Sequence, residues 1–341
     1  MSTMPSTPML RVLPLLACAA LFAGPAMAQP AESAPRLELR PNDRIMLVGN
    51  TLADRQQYFN HFETTLLALY PQLELSLRNL ARSGDTLTLQ PRPLNFGDDT
   101  THLTAQKADV ILAFFGANES FDGEAGLPQF EQDLEAYITR HRAAKYNGTE
   151  APRLAFVSPI AHEKLARLVH VDVEARNREL ERFTEAMRRV TTRLGVPFAD
   201  VFTPMREAMA GAKAPLTING MHLNEDGDKV FAVVLLTALG LAPEELPAGS
   251  KSYTDLRALI HEKNRLFFLR FRPLNAEYVV GRRLDPFGSV NFPPEMKRLD
   301  ELVAAQEKKI WKQARTVGPR PAARPARPVG SAVSPDQQGV R

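Results

Sequence analysis

A single cysteine, Cys18, and a single tryptophan, Trp311, occur in 341 residues. The cysteine sits in an apolar stretch near the N-terminus, so the rest of the chain has no thiol nucleophile, no disulfide and no cysteine metal ligand. Neither sign of charge dominates: 42 Lys and Arg against 39 Asp and Glu leave +3. Five Arg and one Asp fall in residues 315–341 and Arg11 near the start, so residues 29–314 carry a slight negative excess. The basic balance therefore belongs to the ends, and no nucleic-acid surface is expected. A membrane-length apolar run is also missing, because the longest, Val12–Gly24, has only about 13 residues where a spanning helix needs roughly 20. There is no phosphate-binding Walker loop and no dinucleotide fingerprint. His61, His102, His141, His162, His170 and His261 show no metal-ligand spacing, so neither cofactor nor metal is expected.

At the N-terminus, Arg11, the apolar run and the small-residue stretch Ala26-Met27-Ala28 follow the order of a secretory signal peptide cleaved after Ala28. A periplasmic or secreted protein is the expectation, with a short linker at 29–41. Residues 315–341 are rich in Pro, Ala and Arg without apolar periodicity, and read as a disordered tail.

Between the ends, short apolar runs alternate with helical patterns, as parallel βαβ units do. The runs Arg44–Val48, Leu73–Asn79, Asp109–Phe115, Arg153–Ser158 and Val196–Phe202 predict five strands. Helices are expected over Arg55–Leu69, Pro128–Lys145, Asp172–Leu194 and Glu225–Leu239, and the polar segment Gly84–Lys107 as a long surface loop. The fold class that follows is α/β, a three-layer doubly wound sandwich on a five-stranded parallel sheet, over residues 42–245. A helical extension spans 246–314, with helices at Ser252–Arg270 and Met296–Ala314 and a loop at Pro286–Pro294. The Arg- and aromatic-rich run Arg270–Tyr278 reads as packing against the sheet rather than as a sugar or anion site.

Three polar segments follow predicted strands: Gly49-Asn50-Thr51-Leu52, Ser83-Gly84-Asp85-Thr86 and Gly116-Ala117-Asn118-Glu119. A fourth, Asn219-Gly220-Met221-His222-Leu223-Asn224, precedes the last helix of the sheet domain. Singly each is ordinary turn chemistry. In this order, over residues 42–240, they resemble the four sequence blocks of the SGNH (GDSL) hydrolases. The Gly-Asn-Thr form of the first block, the run Gly-Ala-Asn-Glu-Ser-Phe and the stretch Arg-x-Arg-Pro-x-Asn resemble SGNH-like domains of planctomycete-type secreted proteins. Such domains can accompany a haem-binding module, but no Cys-x-x-Cys-His is present.

The resemblance implies an esterase acting on acyl esters of carbohydrates or similar polar alcohols, without a cofactor. By position, Thr51 takes the place of the nucleophilic serine, Gly84 and Asn118 those of the oxyanion donors, and His222 that of the base. Asn219 stands where the family has the aspartate that orients the histidine. Threonine adds a methyl that fixes the rotamer and crowds an incoming carbonyl. Asparagine can hold an imidazole but lacks the charge that stabilises imidazolium. A catalytically inactive binding domain for acylated glycans therefore stays open beside the hydrolase, as does an anion-binding protein using strand-end amides.

Overall fold

A computed structural model describes residues 35–241 and 250–317. The expected signal peptide, its cleavage point and the tail beyond residue 317 lie outside the described residues.

Five strands, β1 (Arg44–Gly49), β2 (Ser76–Asn79), β3 (Val110–Phe114), β4 (Arg153–Val157) and β5 (Phe198–Ala199), form one all-parallel sheet in the order β2-β1-β3-β4-β5. The register pairs Ile45 with Val110 and Val48 with Ala113, while Leu112 faces Ala155 on β4. Side chains alternate across the sheet. Ile45, Leu47, Val110, Leu112, Phe114, Ala155 and Val157 enter one core, and Met46, Val48, Ile111, Ala113, Leu154 and Phe156 the other. Burial on both faces is why β1 and β3 read as unbroken apolar runs.

Helices α1 (Thr51–Asp54), α2 (Gln56–Phe59) and α3 (His61–Leu69) follow β1, and α4 (Asp99–Gln106) precedes β3. Then come α5 (Gly123–Ala143), α6 (Val173–Arg193), α7 (Phe202–Gly211) and α8 (Glu225–Ala238). The extension consists of α9 (Lys251–Phe271), α10 (Ala276–Val279) and α11 (Ser289–Val317). α3 and α8 cover one face of the sheet and α5 and α6 the other, which gives the expected three layers.

Several element bounds differ from the sequence reading. The helix expected over Arg55–Leu69 is two short ones, α2 and α3, because Asn60 adopts a left-handed φ of 63° and ends α2, and α1 precedes it. The expected loop 84–107 contains α4, whose polar composition hid it, although Asp98 caps it through its side chain to the Thr101 N–H at 2.8 Å. β5 pairs over two residues only, and of the run expected there Phe202 already begins α7. The segment 286–294 is helical from Ser289 despite Pro293 and Pro294, and the last helix continues through residues 315–317, which the sequence placed in the tail.

The extension is tied to the sheet domain by buried charge. Lys263 meets Glu63 at 2.7 Å, Arg78 meets Glu307 at 2.6 Å and Arg272 meets Asp54 at 2.8 Å. Removing one partner of such a pair strands a buried charge, a loss of about 3–5 kcal/mol. Within the run Arg270–Tyr278 it is Phe271 that enters the core, in the cluster of Met46 and Phe156.

Candidate active site

β1 is flanked by β2 on one side and β3 on the other, so the chain reverses direction across the sheet between them. In open α/β sheets ligands bind at the carboxyl ends of the strands at such a switch point. β1 delivers Gly49-Asn50-Thr51 to this edge. Gly49 has φ +113°, and a Cβ there would lie 2.0 Å from the Phe114 carbonyl oxygen, so only glycine lets β1 leave the sheet beside β3. Asn50 caps α1, its side-chain oxygen accepting from the Leu52 N–H at 3.2 Å, which puts Thr51 at the first helical position.

β3 delivers Asn118, whose side-chain amide donates to the Asp85 carbonyl at 3.0 Å. The adjoining Glu119 accepts from the Leu87 N–H at 3.0 Å and the Gly116 N–H at 2.8 Å, binding the loop after β2 to the end of β3. Burial pushes its carboxyl above the usual range while these N–H groups oppose the shift. The turn carrying Gly84 is held from the other side, where the Ser83 hydroxyl donates to Asp54 at 2.6 Å and Asp85 pairs with Arg92 at 2.6 Å.

His222 comes from a hairpin before α8, closed by the bridge between Thr217 and Leu223 and by the Ile218 N–H to the His222 carbonyl at 2.8 Å. Thr51, Asn118 and His222 line one open cleft of about 510 Å³. Two of the residues singled out from sequence do not line it. Gly84, exposed at φ +90°, stays behind the wall and reaches the cleft only through the Asp85–Asn118 bond. Asn219 stands behind His222.

The Asn219–His222 contact decides what the imidazole can do. Asn219 Oδ1 accepts from the backbone N–H of His222 at 2.9 Å and of Met221 at 3.3 Å, which fixes the amide's orientation. Its Nδ2 then faces His222 Nδ1 at 3.1 Å and can only donate. Nδ1 is consequently the acceptor, and the neutral ring carries its proton on Nε2. Burial and the nearby Arg55 lower the His222 pKa, so the neutral form prevails at pH 7. Neither Thr51 Oγ1 nor His222 Nε2 has a hydrogen-bond partner among the described residues.

Two further residues of the cleft went unnoticed in the sequence. His162, in the loop after β4, is buried and lines the same cleft. Its Nδ1 lies 3.2 Å from the Glu163 carbonyl oxygen, which can only accept, so here Nδ1 holds the proton and Nε2 the lone pair. Burial lowers its pKa too. Arg176 of α6 also reaches the cleft. The signal in the sequence was the position of Ser158-Pro159-Ile160-Ala161-His162-Glu163 directly after a strand end.

The family model of the GDSL-like Lipase/Acylhydrolase family matches residues 49–230. The chain belongs to this family. Among solved structures, a gut microbial diltiazem-metabolizing enzyme is similar at 13% identity, with a TM-score of 0.58, over 82% of this chain and 97% of that one. An acetylxylan esterase from Geobacillus stearothermophilus, solved as a catalytic mutant, is similar at 14% identity and a TM-score of 0.47, over 60% of this chain and 98% of its own. At these identities the likeness is one of fold. No curated protein matches the chain by sequence. The family match ends before α9, so the extension lies outside it. No described helix is long and apolar enough to cross a membrane.

Proposed function

We propose that this protein is an ester hydrolase of the SGNH type, acting outside the cytoplasm on a small acyl group carried by a carbohydrate or a similar polar alcohol. The observation that supports it is the convergence of Thr51, Asn118 and His222 on one cleft at the carboxyl edge of the sheet. In this reading the His222 ring first moves its proton from Nε2 to Nδ1, giving up the Asn219 bond, and Thr51 Oγ1 then attacks the acyl carbon as its proton passes to Nε2. The unpaired N–H of the Asn118 amide, with the backbone N–H of Thr51, stabilises the oxyanion, each such donor contributing roughly 2.7–4 kcal/mol. Collapse returns the proton to the departing alcohol, and water releases the acid from Thr51 by the same steps. Asn219 makes the first step slow. In serine proteases the corresponding Asp→Asn change costs about 10⁴ in kcat, or about 5.5 kcal/mol, because the histidine adopts the wrong tautomer.

Acetyl-ester hydrolysis by the wild type, Thr51→Ala and His222→Ala tests the proposal. Both variants should fall to background, and equal rates in all three would end the enzyme reading. The signal-like N-terminus supports the location, and a mature chain starting at Gln29 after export from an expressing cell is the expected finding.

The Asn219 contact favours a second reading, a non-catalytic domain that binds acylated glycans in the same cleft. Saturable binding without turnover supports it, and failure to saturate with any acylated saccharide counts against it.

A further inference from the structure

Among the described residues no Asp or Glu lines the cleft, and one cation, Arg176, does. It occupies the first turns of α6 and is half-buried. Its Nη2 donates to the Ala117 carbonyl at 2.8 Å and to the Ser120 hydroxyl at 2.7 Å, both neutral acceptors. The guanidinium carbon sits 3.9 Å from the centroid of the exposed Phe121 ring. These contacts fix the group in place yet engage only one of its three nitrogens. No carboxylate among the described residues pairs with it. Glu119 is engaged by backbone N–H groups, and Glu179, one turn further along α6, acts on Arg176 through its charge but stands outside ion-pair range and holds Arg182 at 2.7 Å instead.

Of the two imidazoles in the wall, His162 offers a lone pair and His222 adds to the donors. His222 offers Nε2–H as a donor, as its contact with Asn219 requires. Behind it Arg55 reaches the Leu223 carbonyl at 3.5 Å, likewise without a carboxylate partner among the described residues. Leu52, Ile160 and Leu180 supply apolar surface that keeps water from screening these charges. A half-buried cation with no acid within ion-pair range binds a neutral ligand poorly because its own desolvation is only partly compensated.

We infer that the ligand of this cleft carries a carboxylate, received by the free edge of the Arg176 guanidinium, so that the favoured esters are those of acidic sugars. One planar guanidinium matches one planar carboxylate through two parallel N–H···O bonds. The inference rests on the proposal that the cleft takes an acylated polar ligand, but not on turnover.

Two substrates that differ only in this group provide the test: O-acetyl galacturonic acid and O-acetyl galactose, offered to the native chain at pH 7 and low salt. The expected kcat/KM favours the acid by about 10-fold, the scale of one charge-assisted hydrogen bond, and the preference shrinks as salt screens it. O-Succinyl galactose, a third substrate, reads whether the carboxylate belongs on the acyl or the alcohol side. Arg176→Gln should bring the ratio close to one, and Arg176→Lys should retain part of it. Equal kcat/KM for the pair in the wild type overturns the inference, as does a fall in both substrates by the same factor in Arg176→Gln. Hydrolysis of the neutral ester without preference removes the charge inference and leaves the hydrolase standing. If neither ester is turned over, titration with the same pair decides. Tighter binding of the acid supports the inference while removing the hydrolase, and equal or absent binding overturns it.

Discussion

The loop after β4 and the hairpin before α8 each present a histidine to the same cleft, and they prepare it in opposite ways. In the loop a backbone carbonyl faces Nδ1 of His162, so the ring offers a lone pair at Nε2. In the hairpin a side-chain amide faces Nδ1 of His222, so the ring offers a proton there. The partner of one nitrogen decides the chemistry of the other. The two segments are also built as one unit. Glu163 accepts from the Leu216 N–H at 2.9 Å and the Thr217 N–H at 2.8 Å, and its own N–H donates to the Gly220 carbonyl at 2.7 Å. Asn177 of α6 clamps His162 at both backbone groups, at 2.7 and 3.0 Å. The cleft thus pairs an acceptor imidazole with a donor imidazole, held rigidly relative to each other.

The largest expected effect comes from erasing this difference. Asn219→Asp keeps acceptors for the Met221 and His222 N–H groups and gives Nδ1 a carboxylate to which it can donate. Nε2 becomes the lone pair, and the negative charge steadies imidazolium. Acetyl-ester kcat should rise by about 10² to 10⁴-fold, the upper figure being the full reversal of the Asp→Asn penalty. An unchanged rate would show that the His222 tautomer does not limit turnover. The contrast can also be read without substrate. Two-bond proton–nitrogen correlation spectra above pH 7 should show Nδ1–H for His162 and Nε2–H for His222, and a shared pattern for both rings would dissolve the comparison.

A smaller effect is expected from the glycine where the two segments touch. Gly220 has φ +88°, and a Cβ there would stand 2.3 Å from Cε1 of His162 and 3.0 Å from the Glu163 carbonyl oxygen. Gly220→Ala combines backbone strain of about 1–3 kcal/mol with displacement of the His162 ring. Gly84→Ala, at φ +90° with nothing within 4 Å of the added methyl, adds strain alone. Chemical denaturation should rank Gly220→Ala as the more destabilising of the two. The reverse order would mean that the loop and hairpin yield to each other easily.

This contact explains which parts of the site sequence reasoning could reach. Thr51, Asn118 and His222 stand out because each belongs to a short run of turn residues beside a strand end or helix start, a pattern visible along the chain. The sheet was legible for a related reason: β1 and β3 are buried on both faces and so lack polar interruption. Helix α4 was not, because Asp99–Gln106 is too polar to show an apolar stripe, and its only sign is the cap at Asp98. Asn60 breaks a helix whose apolar pattern runs straight through it, under the hold of Asn264, which donates to its side chain at 2.5 Å from α9. His162 and Arg176 depend on partners far away in sequence or on their place in the cleft, and no local spacing announces them. The tautomer of His222 turns on which way a neighbouring amide points, which is settled only when the hairpin's backbone N–H groups have claimed its oxygen.

The last and smallest effect concerns pH. Burial holds the pKa values of both His162 and His222 below the ordinary 6.5. Above 6.5 folded and unfolded chains both carry neutral rings, and the groups make no difference. As pH falls below 6.5 the unfolded chain takes up protons that the folded cleft refuses, so stability declines until the folded pKa is passed. His61, lowered to about 4 by burial and the Arg257 charge, adds a decline of the same sign, so the contribution of each cleft histidine must be read by difference. His162→Gln and His222→Gln should each make the denaturation midpoint less dependent on pH between 6.5 and 4. Asn219→Asp shifts one ring only. A carboxylate beside Nδ1 favours the charged imidazole, which moves the acid limb of the ester pH–rate profile upward while the His162 titration, followed by its ring protons, stays where it was. An acid limb that did not move would place the titrating group elsewhere in the cleft, with the lone pair of His162 as the first candidate.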